Sequence, residues 1–508
     1  MPRVPILLLT AIGALLRFYA IGRQGFWYDE SYTVYLVHHS PGTMLGLIPS
    51  TESTPPLYYC VAWVWARIFG FGPAGLKSLS ALCGTLTIPV AYATARKMLG
   101  NRRSALIVGA LTAFNPLLIW YSQEARAYEM LVLFSALTLL MFAYARERPR
   151  PPAVALWGLA CALALLTHYY AAIVIVPEAA WLLYEHRHSR AVRLALGGLV
   201  LVTLALAPLA LKQSGNVSNH WIAHASYLRR LRQIPALFLI GPETHLRTVL
   251  KFLAFAMVAV AVGLLIWRTR RRERQGALLP GGLALAGFLI AAIPGYSTFL
   301  GRNVLPLWLP AALLLAGGLG AARARLAGIG ATATLCAIGV VGVVSVDTTH
   351  AFQRPNWQLV ADTIGRWPPR HTAGADARIV VVQDNPGGMP LSLYLANLRY
   401  LKASSVARVS EIDIIAALPH KGLGGFCWWG SECNLVPSRL DRNYHIPGFQ
   451  ITLRTRVRDF GILILRARHP TTVTTAALPA AVADERLRRR RPNHDPAHDG
   501  QFVQQFPA

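Results

Sequence analysis

Acidic side chains are scarce in this chain: 23 Asp and Glu stand against 50 Lys and Arg in 508 residues, a formal charge of +27. Charge of either sign is thin, at 14%, while 54% of the residues are hydrophobic. So few polar groups cannot cover so much apolar surface in water, which excludes a soluble globular protein and implies many membrane crossings. A basic excess in a soluble chain would suggest nucleic acid. Here the arginines fall in short clusters between apolar segments, as the orientation of spans requires, and nucleic-acid binding is set aside. Of six cysteines, Cys60, Cys83, Cys161 and Cys336 lie in apolar segments and read as small core residues. No cleavable signal is expected, because Arg17 and Arg23 stand at and just after the end of the first apolar segment without a small-residue cleavage pattern. There is no internal repeat and no close His/Asp/Glu ligand spacing, so no metal or other cofactor is assigned.

What is present is a series of apolar segments near the length of about 20 residues that a spanning helix needs. They run Val4–Ala20, Ala74–Thr94, Ala105–Tyr121, Tyr128–Ala145, Ala153–Thr167 and Ala171–Tyr184, then Leu194–Leu211, Val249–Trp267, Leu278–Pro294, Val304–Gly320 and Leu326–Val346. That predicts about eleven transmembrane helices. Basic clusters at Arg96–Arg103, Arg146–Arg150, Arg187–Arg190, Arg268–Arg274 and Arg323–Arg325 all fall on one side if the N-terminus is inside. Pro55–Phe69 is apolar but short and opens on Pro55-Pro56; a span there would reverse every later cluster. It is expected to lie at the outer interface, with Trp63 and Trp65 in the headgroup layer. Ser31–Leu47 is a second such helix, which gives a long first external loop from about Gly22 to Gly72.

A second outer loop, Lys212–Arg247, carries Trp221, His224 and an amphipathic run Tyr227–Ile240. After Val346 hydropathy falls. A helix opening at Arg354-Pro355-Asn356-Trp357 and ending at Trp367-Pro368-Pro369, a buried strand Ile379–Val382, a helix Leu391–Leu398 and a hairpin of Ile451–Arg456 with Gly461–Leu465 predict a small extracytoplasmic α/β domain. The expected division is 1–346 for the membrane domain, 347–470 for the external domain and 471–508 for a basic, disordered tail with Arg488–Arg491.

On this topology the polar groups of interest share one membrane face. Asp29 and Glu30 follow Phe26-Trp27-Tyr28 in the first loop; Glu124, Arg126 and Tyr128 sit between the third and fourth helices; His168 ends the fifth; Arg302 precedes the tenth. Each has a plain reading beside a chemical one. Asp29 can cap the helix that follows it, with Glu30 as a capping or orienting neighbour. Glu124 and Arg126 can form an interfacial ion pair. His168 can be a simple hydrogen-bonder, and Arg302 can anchor a helix end by snorkelling.

Phe26–Glu30 resembles the Asp-Glu motif of the GT-C integral-membrane glycosyltransferases. So do Thr54-Pro55-Pro56-Leu57-Tyr58-Tyr59, Tyr121–Tyr128, and Arg302 before Leu305-Pro306. The order and sidedness of these motifs carry the likeness, from about Gly22 to Gly320. It points to the bacterial family 39 and aminoarabinose-transferase-like branch, related to the protein O-mannosyltransferases. The resemblance implies a GT-C-like fold and a donor whose sugar is joined through phosphate to a polyprenyl chain. It implies Asp29 as general base, and a protein, lipid or polysaccharide acceptor at the outer face of a bacterial plasma membrane. Mannose and arabinose are suggested by the kinship alone. A hydroxyl acceptor must lose its proton as it attacks the anomeric carbon, which a carboxylate can take. Arg126 and Arg302 suit the leaving phosphate by forked hydrogen bonds, with Glu124, Tyr128 and His168 beside them. One departure stands out: Thr54 occupies a position where family members often carry His or Lys before the Pro-Pro pair, with Glu52 two residues earlier.

Cys427 and Cys433 close a short loop in the external domain and are expected to form a structural disulfide. Asn216-Val217-Ser218 matches a glycosylation acceptor pattern, relevant only in a host that uses it. A flippase-like transporter is the rival reading; it predicts midplane ionisable groups or broken helices and an internal repeat. A structural or assembly protein leaves the acidic and arginine motifs unexplained.

Overall fold

The computed structural model describes residues 4–215, 227–269, 271–293, 300–365, 367, 377–383, 388–401, 405–417, 446–458, 460–475, 478 and 500–505. Trp221, His224, Asn216–Ser218, Cys427, Cys433 and Arg488–Arg491 lie outside them. Two units form: Met1–Arg23 with Leu36–Thr348, and Gln24–Tyr35 with Thr349–Ala508. Part of the first loop, expected with the membrane domain, therefore groups with the C-terminal residues.

The first unit is a helical, multi-pass membrane domain. It contains α1 (Val4–Phe18), the end of α2 (Tyr28–His38), α3 (Pro41–Thr51), α4 (Leu57–Phe69), α5 (Pro73–Leu99), α6 (Arg102–Ala113), α7 (Pro116–Ser122), α8 (Tyr128–Glu147) and α9 (Pro151–Thr167). Then come α10 (Ala172–His186), α11 (Arg190–Ser214), α12 (Tyr227–Ile240), α13 (Arg247–Trp267), α14 (Arg271–Ala291), α15 (Trp308–Leu319) and α16 (Arg325–Thr348). All eleven apolar segments carry helix. Among the described residues, however, 7 helices are long and apolar enough to cross a membrane, or 8 if α6 and α7 make one span bent by 52°; α1, α4 and α9 are apolar but shorter.

That bend replaces the single helix expected over Ala105–Tyr121. Pro116 offers no N–H and its ring excludes a continuing turn. Asn115 restarts the helix, its side chain accepting from the Leu118 N–H at 2.9 Å while its amide donates to the Phe238 carbonyl at 2.8 Å. Ser31–Leu47 likewise divides into α2 and α3, because Ser40 accepts the Thr43 N–H at 3.3 Å and Pro41 opens the second helix. Trp63 and Trp65, expected in the headgroup layer, are half-buried and donate their indole N–H to the His39 carbonyl (2.9 Å) and to Ser78 (2.9 Å).

Ion pairs gather the basic clusters at one end of the helices. Lys97 at the end of α5 pairs with Glu147 at the end of α8, and Arg146 with Glu185 at the end of α10 (2.9 Å). Arg103 at the start of α6 donates to the carbonyl of Arg325 at the start of α16 (2.8 Å). Since α8 has 20 residues, its other end is about 30 Å away at 1.5 Å per residue. Small residues let backbones approach: a Cβ on Gly318, near the end of α15, would meet the Ala261 carbonyl of α13.

The second unit is a six-stranded sheet, order β2-β6-β1-β3-β5-β4, with β1 (Arg378–Gln383) and β3 (Val406–Ala417) parallel and the other pairs antiparallel. The remaining strands are β2 (Leu398–Leu401), β4 (Phe449–Val457), β5 (Phe460–Thr474) and β6 (Gly500–Gln505). Alternation sorts β1 between two layers, Val380 and Val382 against α17 (Trp357–Ile364), Ile379 and Val381 against Phe449 and Leu463. Three expectations change here. The helix from Arg354 ends at Ile364, where Gly365 takes φ +71°. Leu391–Leu398 is not one helix; α18 (Gly388–Ser392) ends at its second residue and Leu398 begins β2. The tail, expected to be disordered, supplies β6, which lies between β2 and β1.

Candidate functional site

In the first unit the site is built at the end of the helices away from the basic clusters, where α8 and α10 begin and α9 ends. Arg126 lies in the tight turn before α8: its N–H donates to the Glu124 carbonyl at 2.8 Å, and Ser80 of α5 donates to its carbonyl at 3.2 Å. With the backbone so held, both terminal guanidinium nitrogens donate to the two oxygens of Glu52 at 2.8 Å each, a forked pair. Glu52 is 3% exposed and Glu124 1%. Burial works against the Arg126 charge, but Glu52, and after it Tyr59, more than reverse this and hold its pKa well above the ordinary value.

Tyr128, the first residue of α8, is the hub. Its ring centroid lies 5.0 Å from that of Tyr121 and 6.1 Å from that of His168, and the Arg302 guanidinium carbon is 5.8 Å from it. Arg302 comes from a 3₁₀ turn, Gly301–Leu307, ahead of α15. His168 ends α9 in an extended conformation, and its Nδ1 accepts the Tyr170 N–H at 3.2 Å, which leaves the ring proton of the neutral imidazole on Nε2. Burial, then the charges of Arg126 and Arg302, push its pKa down to about 3. The structure thus brings Arg126, Tyr128, His168 and Arg302 together, with Glu124 in the same turn.

A stability signature follows. His168 titrates near 6.5 in the unfolded chain and at about 3 in the folded one, so between those values the unfolded state binds the extra proton. Stability should fall as pH decreases through this window, by at most about 1.4 kcal/mol per pH unit from this group. Melting curves of wild type and His168→Asn at pH 7.5, 6 and 5 check it; parallel pH dependence of the two proteins counts against a neutral His168.

Asp29 and Glu30 belong to the second unit. They sit in the first turn of α2 rather than ahead of it. Glu30, at the third position of the helix, reaches back to accept the Trp27 N–H at 3.2 Å. Ser31 donates to the Tyr28 carbonyl at 2.6 Å, and the Tyr28 and Tyr32 hydroxyls lie 3.0 Å apart. Within the same unit Gln24 accepts the Arg354 N–H (3.1 Å) and Tyr394 accepts the Phe26 N–H (3.2 Å). The Tyr394 hydroxyl is pushed up to about 12, by burial first and then by Glu30 and Asp362. Asp29 itself is half-buried.

Sequence reasoning missed the forked partner of Arg126. Glu52 is 74 residues away, and its one signal was its place beside the irregular Thr54-Pro55-Pro56 motif. Two buried polar clusters were also missed. Arg17 of α1 donates to the carbonyls of Gly13, Ala113 and Thr112 at 3.0 Å each. Glu178, partway along α10, accepts from Trp157 (2.9 Å) and Thr138 (3.1 Å). Among the described residues no three His, Cys, Asp or Glu side chains gather in a way that could hold a metal ion.

Multi-pass helices, short helices in the first loop and a small sheet domain define the GT-C membrane-glycosyltransferase fold. A family model described as dolichyl-phosphate-mannose-protein mannosyltransferase matches residues 53–211, under a third of the chain. Among solved structures the chain is similar to ArnT from Cupriavidus metallidurans bound to undecaprenyl phosphate, with TM-score 0.53 and 13% identity over 91% of this chain and 98% of that one. Against the apo form of ArnT the values are 0.46 and 19%, over 69% and 66%. Against the oligosaccharyltransferase of Archaeoglobus fulgidus they are 0.44 and 14%, over 70% and 54%. The chain therefore spans just under two thirds of apo ArnT and about half of the archaeal enzyme, and at these identities the likeness concerns the fold. No curated protein is similar to it in sequence.

Proposed function

We propose that the chain is a glycosyltransferase that moves a sugar from a polyprenyl-phosphate donor to a hydroxyl acceptor. It acts at the outer face of a bacterial plasma membrane, with the N-terminus in the cytoplasm and the C-terminal domain outside. The observation that carries this reading is the gathering of Arg126 and Arg302 around Tyr128 and a neutral His168, at the end of the bundle opposite the basic clusters. Guanidinium groups suit a phosphate that gains charge as its bond to the sugar breaks, and neutral His168 can donate from Nε2 without adding charge. A GT-C-fold neighbour that holds undecaprenyl phosphate supports a polyprenyl phosphate as the lipid.

In the reaction the acceptor oxygen attacks the anomeric carbon and forms the new C–O bond. The bond from that carbon to the phosphate oxygen breaks, its electron pair leaving with the polyprenyl phosphate, and the acceptor proton passes to Asp29. A single displacement inverts the anomeric centre. The leaving phosphate is a stable anion and needs no strong general acid. The lipid arrives sideways between helices or along α4.

The test is to incubate purified protein with candidate polyprenyl-phosphate sugars and watch for release of the bare lipid phosphate. No release from any hexosyl or pentosyl donor, in the presence of protein, lipid and polysaccharide acceptors, counts against the reading. Arg302→Ala is expected to weaken donor binding roughly 10- to 150-fold, the loss of one charge-assisted contact of about 1.5–3 kcal/mol, with acceptor binding little changed. Unchanged donor affinity removes Arg302 from the phosphate site. The flippase-like reading has two observations in its favour, the mid-helix carboxyl of Glu178 and the break between α6 and α7; lipid-phosphate release without transport in sealed vesicles decides against it.

A further inference from the structure

Arg126 can meet a phosphate in a fixed direction only if its long side chain is held, and Glu52 accepts from two of the five guanidinium donors. Glu52 is itself bracketed. It caps the end of α3 with its N–H on the Ile48 carbonyl at 3.0 Å, and the segment that carries it is pinned from α11. There the Gln213 amide, 2% exposed, donates to the carbonyls of Thr54 (3.0 Å) and Ile48 (3.4 Å), one on either side of Glu52. The Gln213 oxygen is fixed in turn by the Tyr169 hydroxyl at 2.8 Å, and the Thr54 hydroxyl lies 3.0 Å from that of Tyr59, whose ring faces Arg126. A carboxylate on a segment tied at both flanks is poorly placed to swing away when a ligand arrives. It is well placed to set the plane of its partner.

We propose that Glu52 is a positioning residue: with Gln213 as its bracket, it sets the Arg126 guanidinium in the plane in which that group meets the donor's phosphate. This rests on the phosphate role given to Arg126 above. It also gives a physical sense to the departure in the Thr54-Pro55-Pro56 motif. Where a basic residue is missing before the Pro-Pro pair, this chain has an acid whose partner is an arginine from another loop.

The experiment is a double-mutant cycle on the full chain in detergent micelles or nanodiscs, with undecaprenyl phosphate as the probe and its affinity read by native mass spectrometry. Glu52→Gln should lower affinity about 10- to 100-fold, by analogy with the loss seen when the partner that orients a metal ligand is removed, and Glu52→Asp should recover part of it. In an Arg126→Gln background the same Glu52→Gln change should alter affinity less than about twofold, because Glu52 acts through Arg126. Gln213→Leu leaves both charges in place and serves if Glu52→Gln does not fold; it should weaken binding in the Arg126 protein and not in Arg126→Gln. Equal fold losses in both backgrounds overturn the positioning role while leaving Arg126 at the phosphate. Undiminished affinity in Arg126→Gln alone overturns the phosphate role and the inference with it.

Discussion

Replacing Asp29 with Asn is expected to lower sugar transfer roughly 10²- to 10⁴-fold, the usual contribution of a positioned general base, with donor binding and membrane insertion unchanged. The substitution keeps shape but replaces one accepting oxygen by a donating amide and removes the group that takes the acceptor's proton. Glu30 is a poor substitute despite its adjacency: it is fully buried and its carboxylate accepts the Trp27 N–H, so its oxygen holds the start of α2. The control is therefore Glu30→Ala, which removes the side chain that reaches back to the Trp27 N–H and should lower stability by about 0.5–2 kcal/mol, more than it lowers the chemical step. The measurement is single-turnover release of lipid phosphate at saturating donor. An Asp29→Asn protein that keeps more than a tenth of wild-type transfer would remove Asp29 as the base.

The second large effect lies in the sheet of the C-terminal unit. Arg378, at the start of β1, is fully buried. It pairs with Asp413 at 3.0 Å and Glu411 at 3.4 Å on β3. It also donates to the Ile364 and Gly365 carbonyls at 2.9 and 2.8 Å, closing the C-terminal end of α17, and to Gln505 of β6 at 2.8 Å. Arg378→Met would leave two buried carboxylates without that guanidinium and open the end of a helix. Breaking a buried pair from one side costs about 3–5 kcal/mol. Hydrogen exchange on the full chain should then show amides of β1, β6 and the end of α17 exchanging roughly two to three and a half orders of magnitude faster, provided they open with the domain. Unchanged protection in β6 would mean that Gln505 and strand pairing hold the C-terminal strand without Arg378.

Legibility differed from element to element for definite reasons. The apolar segments were readable because composition alone decides which stretches can sit in hydrocarbon. Their breaks were less so: Pro116 breaks a segment that reads as continuous, since the new start depends on Asn115 reaching both Leu118 and Phe238. In the C-terminal unit Ile379–Val382 was legible as a strand because both its faces are buried. Strand β6 was not, since Gln501–Gln505 has little apolar content and gains its place by pairing with β1 and β2. The grouping of Arg126, Tyr128 and His168 could be anticipated from where helices end. The Glu52 fork could not, because no local pattern links residues 74 apart.

Composition and the spacing of apolar runs determined by themselves that this chain lies in a membrane, which stretches are helical, and that arginines and scarce acids collect at helix ends. These properties follow from solvent, which acts on every segment separately. Which acid faces which arginine was decided only by the tertiary structure. A buried ion pair forms where two backbones happen to be held, Glu52 by Gln213 and Arg126 by Ser80, and that holding depends on packing across the whole bundle.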